Sequence, residues 1–301
     1  MTLTSVPGVE VGHWTDRKAR TGCTVVLLPE PNVAAVEIRG AAPGSRETAL
    51  LEPGMKVEQI QAIFLTGGSA YGLAAADGVV ARLEQHGRGH PTLSGVVPIV
   101  PAAVVYDLHL GNRPLRPGPE QGATAFDQAS GGPVEHGNVG AGTGATVAGW
   151  RGFDNVRWGG IGSVSMAVGH ATLGALVVVN GVGDVFTLAG EPLTGGSAET
   201  GPPAMEANPS ENTTLVVLAT DARLVRTDLM RLAVRAQDAI ATCLRPSHTR
   251  YDGDAAFAVS CGAAEADLDA LGEAAYVSCG RAIEAALRAA DRGNPLDEVR
   301  E

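Results

Sequence analysis

A layered α/β domain, with long helices covering β-sheets, is the architecture the sequence predicts, and three observations predict it. Short β-branched apolar runs alternate along the chain with stretches whose apolar residues recur at helical spacing. Hydrophobic residues make up 45% and charged residues 18%, the balance of a core-forming protein rather than a disordered or fibrous one. No internal repeat with a period of about 20–50 residues is visible, which removes solenoids and propellers.

Val25 to Leu28, Val33 to Ile38 and Ile63 to Leu65 read as strands. After Thr66-Gly-Gly-Ser69 comes a helix with Leu73, Ala76, Val80 and Leu83 on one face, with Ser69 as its N-cap and its end near Gly87. Gly95 to Pro101 suggests an extended segment broken by Pro98 and Pro101, and residues 111–135, rich in Gly, Pro and polar groups, read as a surface loop. Ile161 to Val168 and Ala175 to Asn180 have strand character, and residues 189–212 form a second polar loop. The apolar run Leu215 to Ala219 reads as a buried strand. Leu224, Val225, Leu229, Leu232, Ala236, Ile240 and Leu244 then mark a long helix, Ala255 to Ser260 a strand, and residues 265–291 a last helix closed by Gly293 and Pro295. The 301 residues are read as a single domain, 1–301, long enough to bury a substantial core.

Composition excludes several function classes. A net charge of −11 and a pI near 5.1, with no basic run, argue against nucleic acid or an anionic membrane as partner. The longest apolar run, Gly95 to Tyr106, is too short to span a bilayer, and no basic-then-apolar leader opens the chain, so a cytoplasmic location is expected. Cys23, Cys243, Cys261 and Cys279 form no CxxC pair and sit among small or apolar residues, which predicts buried free thiols. His86 and His90 are four apart but flank glycines, so no metal site and no cofactor is expected. Lysine occurs only at positions 18 and 56, which leaves few places for a lysine base.

The chemistry-bearing segment is Asn212-Thr213, where a polar loop feeds a core strand. A hydroxyl at the first position of a buried strand is able to attack the carbonyl before it. A cut there frees an α-amine, of ordinary pKa about 7.7–8.0, to act as general base for the same residue's hydroxyl. The plainer alternative is a β-branched strand residue. Downstream, Asp252 and Asp254 in an extended segment project to one side, where paired carboxylates hold an ammonium or relay protons; an Asp-Gly turn with solvated acids is the alternative. His248 lies near them and reads as a structural histidine. Gly140, Gly142 and Gly144 lack the spacing of a dinucleotide loop or P-loop, and close packing or exposed N–H donors explains them better. Gly67-Gly-Ser-Ala-Tyr-Gly72 fails the nucleophile-elbow pattern at Tyr71.

These segments together resemble the DmpA/nylon-oligomer hydrolase family, the peptidase family S58 of self-cleaving aminopeptidases and amidases. The resemblance runs through Gly8-Val-Glu-Val-Gly-His13, Arg39-Gly-Ala-Ala-Pro-Gly-Ser-Arg-Glu-Thr48, Leu65-Thr-Gly-Gly-Ser-Ala-Tyr-Gly-Leu73 and Gly95 to Ala102. It continues through Gly137 to Ala145, Val177 to Asn180, Asn212 to Asp221 and Asp252-Gly-Asp254. It implies a four-layer αββα sandwich of the DmpA/ornithine-acetyltransferase type and autocleavage between Asn212 and Thr213 into 1–212 and 213–301. It further implies Thr213 as nucleophile, Asn180 on the scissile carbonyl, Asp252 and Asp254 as the acidic pair, and Gly140, Gly142 and Gly144 as backbone oxyanion donors. The implied substrate is a small-molecule amide or short peptide, and the implied assembly is a homotetramer of processed units. Acyl transfer, as in the ornithine acetyltransferases, is the alternative activity. One departure stands out: nylon-hydrolase relatives carry a lysine where this chain has Gly149 or Trp150, with Arg151 next. An unprocessed, non-catalytic member is the reading that departure motivates.

Overall fold

Ten strands build two five-stranded sheets, and along each core strand alternate residues face different layers, the period of two that a pleated strand imposes. The computed structural model describes residues 1–110, 115–197, 199, 201, 203–204 and 212–297. In chain order the strands are β1 (Glu10–Asp16), β2 (Thr21–Leu27), β3 (Val33–Ile38), β4 (Ser45–Arg46) and β5 (Ala62–Thr66). They continue with β6 (Ala102–Val104), β7 (Gly160–Val168), β8 (Ala171–Asn180), β9 (Thr213–Ala222) and β10 (Ala255–Ala264). The helices are α1 (Ala76–Gln85), α2 (Pro119–Asp127), α3 (Arg226–Cys243) and α4 (Leu268–Ala289).

The first sheet runs β1-β2-β5-β6-β4 and the second β7-β8-β9-β10-β3. In the second, β9 is central, antiparallel to β8 and parallel to β10. Leu215, Val217 and Ala219 of β9 join Leu176 and Val178 of β8, and Ile63 and Leu65 of β5, in a core between the sheets. Val216 and Leu218 face the other way, into a core with Leu229, Leu232 and Ile240 of α3 and Leu271 and Ile283 of α4. On the outer face of the first sheet, Val25 and Phe64 pack on Val79 and Leu83 of α1 and Ala125 of α2. The layers are therefore helix, sheet, sheet, helix, the αββα sandwich expected.

Several local expectations are corrected. The stretch 111–135 is not all loop: residues 111–114 lie outside the described residues, and 119–127 form α2. Pro119 opens that helix, and the Gln121 side chain accepts the Gly118 N–H, so loop-like residues here act as a helix start. On α1 the buried face carries Val79 rather than Val80. Ser69 is not an N-cap; Gly68 precedes a 3₁₀ turn, no side chain caps it, and Ser69 itself has φ +52°. The helix α3 starts after Leu224 and Val225, and Val225 is exposed. All four cysteines are free, with Cys261 half-buried rather than buried. Burial pushes the Cys243 and Cys261 thiols up to about 12. The loop reading of 189–212 falls partly on residues 198, 200, 202 and 205–211, outside the described residues. Among the described residues no helix is long and apolar enough to cross a membrane.

Candidate active site

The two edges of the inter-sheet core converge where β8 ends and β9 begins. Asn180, last in β8, pairs in register with Thr213, first in β9, and by strand parity both face the space between the sheets. Asn180 is fully buried and Thr213 is 5% exposed. The Asn180 Oδ1 accepts the Thr146 N–H at 2.8 Å, which fixes the orientation of its amide. Its Nδ2 is buried with no partner among the described residues. A buried donor left unpaired costs about 1–3 kcal/mol, so its retention points to an acceptor that arrives with the chemistry.

The Asn212–Thr213 peptide is held from the far side by the acidic motif. Asn212 bridges Asp252 in parallel register. Its N–H donates to the Tyr251 carbonyl at 2.9 Å, and its own carbonyl accepts the Gly253 N–H at 2.9 Å. The Thr213 Oγ1 hydroxyl donates to that same carbonyl oxygen at 2.6 Å. A hydroxyl oxygen and a backbone N–H therefore both lie on one carbonyl, an arrangement in which a hydroxyl is placed to attack and an N–H to polarise.

Asp252 and Asp254 are each 1% exposed, and they take different partners. Asp254 Oδ1 accepts the Thr214 N–H at 2.5 Å, and Oδ2 accepts from His248 Nδ1 at 2.7 Å and more weakly from the His248 N–H at 3.3 Å. Asp252 Oδ2 accepts the Thr249 N–H at 2.8 Å and hydroxyl at 2.7 Å. Burial, and then the charge of Asp254, push the Asp252 carboxyl up to about 6, with the Thr249 bonds offsetting part of the rise. Burial pulls His248 down, but the hydrogen bond and charge of Asp254 outweigh it and leave the imidazole more basic than usual. His248, read as structural from the sequence, thus hydrogen-bonds Asp254 of the acidic pair directly.

The motif at 39–44 clamps this segment. Arg39 and Ala42 donate their N–H groups to the Asp254 and Asp252 carbonyls at 2.7 and 3.0 Å. Gly40 has φ +84°, and a Cβ there would stand 2.1 Å from the Asp252 carbonyl oxygen, so only glycine allows the approach. The glycines of 140–144 serve packing elsewhere. Gly140 and Gly142 donate their N–H groups to Thr15 Oγ1 and the Val139 carbonyl, and a Cβ on Gly144 would meet the Arg20 carbonyl at 2.0 Å. The donor on the Asn212 carbonyl is Gly253, which the sequence reading passed over because a backbone amide carries no residue-type signal.

Two clefts reach this peptide. One, of about 260 Å³, is lined by Pro43, Gly44, Ser69, Ala70, Tyr106 and Thr213. The other, of about 100 Å³, touches Asn212 and is walled by Phe153, Val156, Val182 and Leu296. Gly149 also lines it. Arg151 is committed to a partner of its own: its guanidinium lies bidentate on Asp184, at 2.6 and 2.8 Å, and also donates to the Thr194 carbonyl.

Comparison with known proteins agrees with this architecture. The model of "Peptidase family S58" matches residues 2–298. An uncharacterized aminopeptidase of Mycobacterium leprae (strain TN) is 44% identical over 299 residues, covering 89% of this chain and 81% of that protein. A 6-aminohexanoate-oligomer endohydrolase of Paenarthrobacter ureafaciens is 31% identical over 276 residues, 84% of this chain and 73% of that one. Among solved structures, the L-aminopeptidase D-Ala-esterase/amidase of Ochrobactrum anthropi, described as a variant of the Ntn hydrolase fold, superposes with a TM-score of 0.76 at 26% identity, covering 96% of this chain and 86% of that one. A Burkholderia sp. β-aminopeptidase, 24% identical with a TM-score of 0.74, shares the fold over 99% of this chain and 91% of its own. With the family model spanning all but its ends, the chain belongs to peptidase family S58 and is a hydrolase of amide or peptide bonds.

Proposed function

We propose that the chain cuts itself between Asn212 and Thr213 and that the new N-terminal threonine is the nucleophile of an amidase or aminopeptidase. In the cut, Thr213 Oγ1 attacks the Asn212 carbonyl carbon, and its proton passes to the departing nitrogen. The C–N bond breaks, and residues 1–212 are held on Oγ1 as an ester. Water then releases the Asn212 carboxylate and restores the hydroxyl. In turnover the free α-amine takes the hydroxyl proton and Oγ1 attacks the substrate carbonyl. The amide C–N bond breaks as that proton passes to the departing amine; water then hydrolyses the ester, releasing the carboxylate and restoring the hydroxyl. Asn180 Nδ2 and the Gly253 N–H stabilise the oxyanion, and Asp252 and Asp254 hold the start of β9 in line.

The observation that carries this reading is the Asn212 carbonyl itself, which accepts the Thr213 hydroxyl at 2.6 Å and the Gly253 N–H at 2.9 Å. The substrate is a linear amide or short peptide, in keeping with relatives named aminopeptidase and 6-aminohexanoate-oligomer endohydrolase. Four free cysteines suit the reducing cytoplasm. Association of the split units into a tetramer belongs to the same reading, supported by the exposed Leu93 and Val97 on the hairpin of residues 90–97.

Intact-mass measurement of freshly purified protein tests the proposal: fragments 1–212 and 213–301 are expected, and a single full-length species from Thr213→Ala. Two fragments from the alanine variant would refute it. A second reading, a chain that stays whole, draws on Gly149 or Trp150 standing where the family resemblance implies a lysine and on Arg151 committed to Asp184. It predicts one full-length species from the wild type after prolonged incubation.

A further inference from the structure

Resting on Thr213 as nucleophile, we propose that Ser69 is a substrate-positioning residue, its hydroxyl hydrogen-bonding an amide of an uncharged substrate chain laid in the Thr213 cleft. Ser69 shares that cleft with Thr213, and no side chain among the described residues takes its hydroxyl. Its backbone is held in the left-handed region at φ +52°, which L-residues other than Asn and Asp rarely occupy. Such conformations persist where the surroundings over-determine them, and here they do. The Ser69 N–H is tied to the Val105 carbonyl at 3.0 Å. The preceding residue, Gly68, also at positive φ, donates its N–H to Asp107 Oδ1 at 2.8 Å. Asp107 Oδ2 in turn accepts the Thr21 hydroxyl at 2.7 Å. Asp107 is 2% exposed, so a buried carboxylate, costly to keep without a role, is spent on fixing the turn that presents Ser69.

The rest of the cleft sets the substrate class. Pro43, Gly44, Ala70 and Val104 are small and uncharged, leaving Ser69, Tyr106 and Thr213 as its polar side chains. An ionised segment there would lose its hydration with no partner charge, whereas an amide finds a hydroxyl. A neutral, unbranched or small-side-chain amide chain fits both constraints.

Ser69→Ala and Ser69→Gly separate a hydrogen-bonding role from a structural one. Glycine enters the left-handed conformation without a Cβ penalty, so it serves the turn as well as serine or better, but it offers no hydroxyl. Both variants are expected to split at Asn212–Thr213 like the wild type and to melt within a few degrees of it. With trialanine and the 6-aminohexanoate trimer as probes, whose amide chains are neutral between their charged ends, each should show KM raised about fivefold, the loss of one neutral hydrogen bond, with kcat little changed. Wild-type KM in Ser69→Gly, or a split wild type that hydrolyses neither probe, overturns the proposal. A wild type that never splits overturns the Thr213 reading instead, and the two failures are told apart on one gel.

Discussion

The unpaired Nδ2 of Asn180 is the residue-scale feature with the sharpest consequence. Asn180→Asp keeps an oxygen for the Thr146 N–H and deletes the donor. Removing one oxyanion donor typically costs about 10²–10³ in rate. The 213–301 fragment should therefore appear that much more slowly on a gel time course, and a rate within about threefold of wild type would dismiss the donor role. A second prediction concerns Asp252, whose carboxyl stands at about 6 in the fold, above the ordinary carboxylate value near 3.9. A folded value above the unfolded one gives stability that is full below about pH 4 and is lost as pH rises through about 6. Raised His248 has the same sign, its contribution being lost above its own ordinary value. In the uncut Thr213→Ala background, Asp252→Asn should change the urea midpoint little at pH 4 and raise it at pH 8, by about 2–3 kcal/mol from two pKa units. An equal effect at both pH values would mean that Asp252 is not held protonated by its burial. Thr213 and the acidic pair stood out as candidates in the sequence because hydroxyl and carboxylate carry their chemistry in the residue type, whereas Asn180 entered only through the family resemblance. The structure brings Asn180 and Thr213 into register and Asp252 beside Asn212. Gly253 and Ser69 did not stand out in the sequence, since the one meets the Asn212 carbonyl through its backbone amide and the other is marked by a positive φ that no composition reveals.

At the scale of elements, the helix that the sequence hid shows why it was hidden. A Cβ on Gly78 of α1 would lie 1.8 Å from the Pro119 carbonyl oxygen, and one on Gly122 of α2 would lie 1.9 Å from that of Ala75. Glycines that bring two helices into backbone contact look in sequence like the glycines of a loop. Gly122→Ala decides between two effects. Helix propensity alone favours alanine by about 1 kcal/mol, but a carbonyl within covalent range must be displaced, and overpacking of that kind costs about 1–3 kcal/mol. The clash wins, so Gly122→Ala should lower the urea midpoint while leaving the pattern of fragments unchanged. A more stable variant would show that α1 and α2 separate freely. The long helices α3 and α4 and the strands β3, β5, β8 and β9 were legible because their apolar periods are uninterrupted. The short β4 and β6 owe their form to pairing partners distant in sequence, for which no local pattern exists.

Across the whole molecule, a cut at Asn212–Thr213 falls in the middle of the second sheet. The order β7-β8-β9-β10-β3 takes β3, β7 and β8 from the upstream fragment and β9 and β10 from the downstream one. Both boundaries are long ladders: β8 meets β9 from Leu173–Thr220 to Asn180–Thr213, and β10 meets β3 from Ala255–Ile38 to Ser260–Val33. The helices follow the same partition, since α3 and α4 come from the downstream fragment, where α3 packs on upstream β3 and α4 on upstream β7 and β8, and Leu229, Leu232 and Ile283 share one core with upstream Ala35, Leu173, Ala175 and Val177. Separating the pieces would expose that apolar surface together with two rows of unpaired backbone groups, which is the cost of unfolding rather than of dissociation. On the processed protein, size exclusion through a urea series should hold 1–212 and 213–301 in one peak until the circular-dichroism transition, with separation and unfolding coincident. Elution of 213–301 by itself at urea concentrations where the ellipticity is still native would show that the downstream fragment stands outside the sheet. Coincidence of the two would mean that the covalent link at residue 212 is dispensable to the fold once β9 is in place, as a nucleophile created by cutting its own chain requires.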